Sequence, residues 1–461
     1  MVYYSRREFI KKNALGYAGV VLGTAIPTVA KAESISLPTM DKTADTLKIS
    51  VFDIDATPPI GTQLAYDQMA GAWDIGLRAK GVVLTGAGAP IVLCAIDWIG
   101  IANESQDVFK KTLADAVHTD PCRVAVHTLH QHDAPRCDFS TEKMLKEMQM
   151  SLMGYEGSFA REFLPRLGKA AENSLNGLRP LTHISTGKAP VYEVASNRRI
   201  IKNGTVHMRY SSCGDPALRN EPEGLIDPDV TLIGFWDGEH PVAVMTFYAT
   251  HPQSYYRTKI ANPDFPGIAR FYRQLALPDA LHVHFNGAGG NIAAGKYNDG
   301  SHENRIILAK RLADGMERAW KDSTKIPVTA DEVFWKTDPV TLPLADKVVR
   351  QIDTSDFQPG DAGIITWAKR TLARKTIDIA CLGIGKARIL FAPGELFVEY
   401  QLAAKAFRPD LAVSMAAYGE YGPSYIGARK TYAQGGYEID TSPVTADSED
   451  ILMNVFRKLL M

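Results

Sequence analysis

The chain has 461 residues, of which 45% are hydrophobic and 22% are charged. These fractions are ordinary for soluble globular proteins, so they exclude a disordered chain, a fibrous protein and a membrane protein with many spans. Lys and Arg total 51 against 52 Asp and Glu, which gives a formal net charge of −1 at pH 7. Because no dense basic run occurs beyond the N-terminus, we expect no nucleic-acid partner.

The five cysteines are an odd number and show no CxxC or other metal-ligand spacing, which disfavours both a disulfide framework and a thiolate zinc site. Cys94 lies in an apolar run and is interpreted as a small buried residue. Cys122 and Cys137 are the pair that could form a bridge under oxidising conditions, although sequence separation alone cannot show it.

The first 32 residues resemble a bacterial twin-arginine export signal. Residues 5–12 read SRREFIKK, a moderately apolar stretch follows over residues 13–29, and Ala30–Ala32 offers small residues that a signal peptidase accepts. We expect cleavage near Glu33, a periplasmic or secreted protein, and the twin-arginine export machinery as a partner. The alternative is a membrane anchor, but 17 residues are at the short limit for crossing a bilayer.

The chain after the signal predicts strands that alternate with amphipathic helices. In chain order we expect strands at 82–84 and 91–101, a helix capped by Asn103 and ending near 117, a strand at 123–129, a helix at 159–175, strands at 231–236 and 242–250, a helix at 266–277, a strand at 281–285, a helix at 303–321 and a strand at 387–391. This alternation predicts an α/β fold, a layered mixed sheet with flanking helices and functional groups beyond the strand ends.

Two features of the remaining sequence bear on domain organisation. The Pro- and Asp-rich residues 337–363 predict a surface excursion or a weak subdomain boundary. No internal repeat and no later run of about 18 apolar residues occurs, so we expect no stable membrane span after processing.

The segment VAVHTLHQHDAP, residues 124–135, contains three of the eleven histidines. In an extended backbone His130 and His132 point to the same face, and where a strand opens into a loop both imidazoles can reach one centre. Neutral imidazole is a preferred zinc ligand. His127 points to the opposite face and is interpreted as a packing or supporting residue. The alternative for the whole segment is a hydrogen-bonded loop cluster without a metal.

Three later segments also place polar groups where a strand ends. His251 follows the predicted strand 242–250, and HVHFNGAGGN, residues 282–291, ends a strand in a glycine-rich turn that either approaches a ligand or reverses the chain. Glu395 leaves a Pro-Gly turn, where it is either a site residue or an acid favoured by a helix N-terminus. Tyrosines are frequent further on, which usually indicates packing: Tyr421, Tyr425, Tyr432 and Tyr437.

These motifs, taken in order, resemble the catalytic domain of neutral/alkaline (non-lysosomal) ceramidases. The matching segments are HQHDAP, ATHPQS, the Gly-Gly-Asn turn, PGE, and YIG followed by tyrosines 7 and 12 residues after Tyr425. The similarity spans most of the chain beyond the signal. It implies one ceramidase-like α/β catalytic domain over residues 33–461, without the immunoglobulin-like C-terminal domain of full-length ceramidases.

The resemblance also implies a set of site residues. Ceramidases of this family bind zinc through two histidines, a glutamate and a tyrosine, and the matching positions here are His130, His251, Glu395 and Tyr425. The second histidine of the first motif, the arginine of SNRR and the downstream tyrosine imply three catalytic residues: His132, Arg198 and Tyr437.

This sequence also departs from the family pattern. Where the family has its active-site serine this chain has Ala293, and Asn291 stands in place of the neighbouring aspartate. A serine nucleophile is therefore excluded at that position, and Asp133 adds an acid to the first motif. These differences leave the substrate open and argue against ceramide itself.

The ligand set implied by the resemblance suits Zn²⁺ acting on a bound water. The family then implies hydrolysis of an amide (N-acyl) bond in a small-molecule or lipid-like acyl substrate, with His132 moving the proton and Arg198 and Tyr437 stabilising the oxyanion. The alternatives are a secreted zinc-binding protein without catalysis, and a metal-dependent hydrolase of a soluble carbohydrate-derived or ester substrate. Retention of all three catalytic positions favours an enzyme.

Overall fold

Three β-sheets share one core in the part of the chain that the structure describes, residues 46–461. The structure is a computed structural model. The inner faces of all three sheets pack against one another, and helices cover their outer faces. This arrangement confirms the predicted α/β fold with mixed sheets and flanking helices. The export signal predicted for residues 1–32 lies outside the described residues.

The first sheet is built from the N-terminal third of the described chain. Its neighbouring strands run in sequence order, and a short fifth strand extends the edge. The first three strands are antiparallel, whereas the fourth is parallel to the third and is reached through the helix Glu104–Val117. The strands are Lys48–Asp55, Arg78–Thr85, Ile91–Ile96 and Val124–Thr128, with Arg179–Pro180 at the edge.

The second and third sheets have the same plan. In each, two antiparallel pairings are followed by a crossover helix and a parallel fourth strand. The second sheet contains His183–Pro190, Asp229–Asp237, His240–Tyr248, the helix Asp264–Ala276, Leu281–Asn286 and the edge strand Thr324–Pro327. The third contains Val333–Val340, Ile377–Ile384, Ala387–Phe391, the helix Val398–Phe407 and Ala412–Ala416.

The three parallel fourth strands end close together. The backbone amide of Thr128 donates to the carbonyl of Tyr418 (3.1 Å), and that of Ala417 donates to the carbonyl of Asn286 (2.9 Å). Asn286 in turn donates its side-chain amide to the carbonyl of Leu129 (2.7 Å). The sequence shows no repeat, so only the topology repeats. Because the three fourth strands end together, the loops from all three sheets meet at one point beyond the strand ends, where ligands bind in open α/β sheets.

Aromatic side chains fill the core between the sheets. Phe285 stacks on Phe247 with ring centroids 5.4 Å apart, and Phe391 lies edge-on to it at 6.4 Å. Removing a ring as deeply buried as that of Phe285 typically costs about 3–5 kcal/mol. This rigid core holds the ends of the second and third sheets in fixed register beneath the converging loops.

The predicted helices and strands agree with the observed ones, with two exceptions. Asn103 occupies the N-cap position of the helix Glu104–Val117 as predicted, but its side chain makes no capping hydrogen bond and instead donates to Asp138 (2.6 Å) and to the carbonyl of Gly363 (3.2 Å). The expected surface excursion over 337–363 is not observed either. It holds the helix Asp346–Thr354 and buries apolar side chains in the core: Val340, Leu342, Val348 and Phe357.

The remaining elements cover the sheets or connect them. The other helices are Phe139–Glu147, Ser158–Ser174, Pro216–Arg219, Glu303–Lys321, Ala362–Leu372, Arg429–Tyr432, Tyr437–Thr441 and Ser448–Leu460. The other strands are Gly71–Ala72, Gly100–Ile101, Arg136–Cys137, Ser196–Asn197, Arg199–Lys202, Thr205–Met208, Ile260–Ala261, Ile292–Ala293, Glu395–Leu396 and Tyr425–Ile426. Within residues 46–461 no helix combines the length and the apolar character needed to cross a membrane. All five cysteines are free.

Candidate metal centre

Three buried histidines converge where the loops of the first and second sheets meet. One ring nitrogen each of His130, His132 and His251 lies within 4.8 Å of the other two. The Nε2 atoms of His130 and His132 are 3.3 Å apart. The sequence therefore predicted correctly that His130 and His132 reach one centre. The reason differs in detail, because the strand ends at Thr128 and His130 has a positive φ of 66° rather than an extended backbone.

Main-chain carbonyls fix the orientation of two of these rings. His130 Nδ1 lies 2.7 Å from the carbonyl of Ile99, and His251 Nδ1 lies 3.1 Å from the carbonyl of Gly289. A carbonyl can only accept, so each Nδ1 carries the proton and each Nε2 presents a lone pair to the centre. These are the tautomers that a histidine adopts when it binds a metal through Nε2.

Glu395 brings a carboxylate from the third sheet to the same point. Its Oε2 lies 3.5 Å from His130 Nε2 and 3.4 Å from His251 Nε2. Its Oε1 accepts a hydrogen bond from the hydroxyl of Tyr421 (2.9 Å). The Pro-Gly turn before it requires glycine, because Gly394 has φ +58° and a Cβ there would lie 2.5 Å from the carbonyl oxygen of Ser424. The Glu395 carboxylate therefore lies beside two of the histidines, and Glu395 precedes the helix Val398–Phe407 without belonging to it.

Tyr425 forms one wall of the centre. It pairs with Glu395 in a short parallel bridge, and its ring stacks on His251 with centroids 6.3 Å apart and planes 13° apart. Burial raises the pKa of its hydroxyl well above the usual range, the Glu395 carboxylate adds to this increase, and Arg198 opposes it. Even with the Arg198 cation nearby, the net direction of the pKa shift is upward, which favours the neutral hydroxyl.

Burial keeps the histidines neutral as well. It lowers the pKa of His132 and His251 well below the usual value, and the positive charge of Arg198 lowers both further. The pKa of His130 is lowered too, mainly by burial, although Glu395 opposes that effect. Neutral imidazoles are electron-pair donors, which is the form that binds metals.

The donor set fits a divalent cation. Glu395 Oε2 and His132 Nδ1 are both buried and have no hydrogen-bond partner within residues 46–461. An unpartnered buried carboxylate oxygen is costly unless a positive charge compensates it. Three imidazoles and one carboxylate form a mixed nitrogen and oxygen set that Zn²⁺ accepts, with the tyrosine as a further oxygen donor.

Arg198 and Tyr437 lie on the side of the centre beyond Tyr425. The Arg198 guanidinium carbon sits 5.2 Å from the ring centroid of Tyr425 and 5.9 Å from that of Tyr437. Arg198 Nε donates to Glu438 (2.8 Å), which also accepts from Arg199 Nη1 (2.8 Å). Its Nη2 is buried without a partner in the described chain. Glu438 thus fixes the arginine that the sequence singled out.

A cavity of about 310 Å³ opens onto the centre. Its wall includes His130, His132 and Glu395. His251 and Arg198 do not line the cavity, but they pack against Tyr425 and Tyr437, which do. The other polar residues that line it are Tyr66, Arg136, Asp138, Tyr155, Asp361, Tyr421, Ser424, Tyr425, Tyr437 and Thr441. A volume near the lower end of ligand-site sizes suits a small molecule, and the charged and hydroxyl groups of the wall offer it polar contacts beside an apolar surface.

All seven site residues predicted from the sequence belong to this one assembly. The structure adds residues that sequence reasoning missed, chiefly Tyr421, which holds Glu395, and Tyr418, whose ring stacks on His130 with centroids 4.7 Å apart. Tyr421 lies in the tyrosine-rich region, where frequency alone suggested packing, and Tyr418 lies just before it. Tyr432 does pack, with its hydroxyl 3.3 Å from Ser442 Oγ. His127 packs as predicted, between Phe285 and Phe391.

The positions that depart from the family pattern have structural roles. Ala293 is buried in a bridge opposite Ser196, and Asn291 holds the third sheet's crossover helix through Val398 N (2.9 Å) and Glu399 Oε2 (3.0 Å). The glycine turn serves close packing, because a Cβ on Gly290 would lie 2.3 Å from the carbonyl oxygen of Glu395.

Asp133 organises the loop that follows His251. Its carboxylate accepts from the amide of Arg257 (2.8 Å) and from the amide (3.2 Å) and hydroxyl (2.7 Å) of Thr258. This loop carries Tyr256, whose ring packs edge-on against His132 with centroids 5.4 Å apart. The extra acid of the first motif is therefore engaged in holding the loop.

Comparisons with known proteins address the fold. No protein-family model matches the chain, and no curated protein sequence matches it. Among solved structures, neutral ceramidase from Pseudomonas aeruginosa is similar, with a TM-score of 0.66, 15% sequence identity, and coverage of 90% of this chain and 74% of that chain. A structure described as ceramidase complexed with C2 gives the same values. The chain therefore has the fold of neutral ceramidase, as the order of its motifs predicted.

Proposed function

We propose that this protein is a zinc-dependent hydrolase that cleaves an amide (N-acyl) bond. The observation that carries the proposal is the buried group of three neutral histidines around Glu395, whose Oε2 lacks a hydrogen-bond partner in the described chain and faces two imidazole nitrogens. The fold shared with neutral ceramidase supports amide hydrolysis as the reaction and an acyl compound as the substrate.

His130, His251, Glu395 and Tyr425 would hold the metal, and His132 lies close enough to join them or to act beside them. When bound, zinc supplies a Lewis acid that polarises a carbonyl and lowers the pKa of a bound water. The tyrosine hydroxyl would have to lose its proton to bind as an anion, which a divalent cation favours.

His132 is the candidate for proton transfer. It lines the cavity, it is neutral, and its Nδ1 has no partner within residues 46–461, so it can accept a proton. In the reaction the carbon–nitrogen bond of the amide breaks and a carbon–oxygen bond to water forms. His132 takes one proton from the water and delivers it to the leaving nitrogen, so that an acid and an amine result.

Tyr437 is the candidate donor to the oxyanion. It lines the cavity and is partly exposed, so its hydroxyl can reach a substrate. Arg198 lies over the rings of Tyr425 and Tyr437, and its positive charge favours negative charge developing beside them. Glu438 holds that guanidinium in place.

A single-turnover reaction in ¹⁸O-water tests the mechanism. We expect zinc-loaded protein to hydrolyse short N-acyl amides, with one label in the acid product and no change in protein mass, because Ala293 offers no nucleophile. An acyl adduct on Ser424 or Thr441, the aliphatic hydroxyls that line the cavity, would contradict direct attack by water. If only esters or acylated sugars are hydrolysed, the substrate is not an amide. If nothing is hydrolysed while zinc is bound, the protein is a zinc-binding protein without catalysis.

The same assay tests the oxyanion donor. Tyr437→Phe removes only a hydroxyl, and we expect kcat to fall by about 10²-fold, the usual effect of losing one such donor, while zinc content stays unchanged. Tyr192→Phe, at an exposed tyrosine that does not line the cavity, is the matched control. Equal kcat in the two variants would show that the Tyr437 hydroxyl is not the oxyanion donor.

We also propose that the protein is exported to the periplasm or secreted. Support comes from SRREFIKK and the small residues Ala30–Ala32. Replacing Arg6 and Arg7 with Lys is expected to leave unprocessed precursor in the cytoplasm. Immunoblots of cell fractions measure the processing. If the double variant is processed normally, the twin-arginine route is excluded.

A further inference from the structure

Arg136 is a cavity-lining arginine that the proposed reaction does not use. It follows His132 by four residues and lines the same cavity. The backbone places it rigidly, because Arg136 pairs with Gly100 in a parallel bridge and the preceding Pro135 accepts from the amide of Ile99 (3.0 Å). Ile99 also carries the carbonyl that orients His130. Arg136 and the metal-binding histidine are thus fixed on the same stretch of backbone.

The charge of Arg136 is not compensated within residues 46–461. No carboxylate there lies within 4.0 Å of its guanidinium, and its Nε is buried without a hydrogen-bond partner. More deeply buried arginines each have partners, although Arg198 Nη2 and Arg209 Nε also lack one in the described chain. Arg198 and Arg270 pair with carboxylates at 2.8 and 2.6 Å, and Arg209 donates to five main-chain carbonyls.

Neither aspartate in the cavity wall forms an ion pair with Arg136, and Glu395, which also lines the cavity, is beyond pairing distance as well. Asp138 lies two residues further along the chain, but its oxygens accept from Asn103 (2.6 Å), from the hydroxyl of Ser140 (2.9 Å), and from the amide (3.0 Å) and hydroxyl (2.5 Å) of Thr141. Asp361 also lines the cavity, beyond pairing distance of Arg136. What packs on the guanidinium is the ring of Tyr155, at 4.9 Å.

We propose that Arg136 binds a carboxylate of the substrate, so that the natural substrate is an N-acyl compound whose amine portion carries an acid group, such as an N-acyl amino acid. A planar guanidinium donates hydrogen bonds to both oxygens of a carboxylate, and a partly buried guanidinium without a counter-ion is costly unless a ligand supplies one. The proposal rests on the proposed amide hydrolysis and names its substrate class.

The test compares two substrates that differ only in charge. N-Butyryl-alanine carries a carboxylate, and N-butyryl-alaninamide replaces it with a neutral amide of the same shape. For zinc-loaded protein we expect kcat/KM to be at least tenfold higher for the acid. Arg136→Met should lower kcat/KM for the acid by about 10- to 100-fold, the range of a charged hydrogen bond, and leave the amide within about threefold. Arg136→Lys should recover part of the loss.

Two measurements separate this proposal from the proposed function. Calorimetric titration of the zinc-loaded protein with N-butyryl-alanine reports binding even if no turnover occurs, and Arg136→Met should weaken that binding at least tenfold. Arg257→Met, at the arginine beside Tyr66 that already lies near Asp67 (3.5 Å), is the control for general electrostatics. Equal kcat/KM for acid and amide, or equal losses for both in Arg136→Met, would overturn the carboxylate subsite while leaving amide hydrolysis standing. Failure of the protein to bind either compound would overturn the subsite directly.

Discussion

We expect His251→Ala and Glu395→Gln each to abolish stoichiometric zinc binding and, with it, activity on any acyl substrate. Each change removes one electron-pair donor from a centre where His130 and His251 both lie within 3.5 Å of the Glu395 carboxylate. Free zinc at 1,000 times its Kd raises the free energy of unfolding of a protein that binds it by about 4 kcal/mol, and the variants should lose this stabilisation. Metal analysis and thermal melts with and without chelator measure both effects.

His127→Ala is the matched control for these variants. His127 is buried in the strand Val124–Thr128, three residues before His130, but it packs against Phe285 and Phe391 and lies outside the histidine group. We expect it to lower the melting temperature equally with and without chelator and to keep its zinc. In His251→Ala the chelator should no longer change the melting temperature. Full zinc content in both ligand variants would place the metal elsewhere.

The resemblance to ceramidases predicted most of the candidate site, and local sequence pattern supplied only the strand ends where its residues lie. Strand-like runs that end in His130, His251 and Glu395 indicated polar groups at sheet edges, and the order of the motifs assigned them to one centre. The helices and strands were predictable because hydrophobic periodicity and turn residues are local signals. The repeated four-strand topology was not, because it depends on pairings between strands far apart in sequence.

Other site features depend on tertiary contacts that sequence spacing does not encode. Tyr421 supports Glu395 across 26 positions, and nothing local separates it from a packing tyrosine. Arg136 is distinctive only because no carboxylate of residues 46–461 reaches it. Asn103 has an N-cap sequence context, yet its side chain bonds to Asp138, because a buried tertiary acceptor competes with the helix amides.

Arg270→Met is expected to destabilise the protein by about 3–5 kcal/mol, because it leaves a buried carboxylate without its partner. Arg270 and Asp97 are both buried and form two parallel bonds, from Nη1 to Oδ1 (2.7 Å) and from Nη2 to Oδ2 (2.6 Å). Urea denaturation followed by tryptophan fluorescence measures the loss. Lys111→Met is the matched control, since its exposed pair with Asp115 should contribute no more than about 0.5 kcal/mol.

This ion pair also links the two sheets that supply the histidines. Asp97 immediately precedes Trp98, whose carbonyl accepts from the amide of His130 (2.9 Å), while Arg270 lies on the crossover helix that follows His251. We therefore expect Arg270→Met to weaken zinc binding as well as stability. Adding Asp97→Asn removes the stranded charge but keeps an acceptor for the amide of Arg78 (2.9 Å), so the double variant should regain at least half of the lost stability. If the double variant is no more stable than Arg270→Met, the loss comes from missing side-chain packing and the uncompensated charge is not its cause.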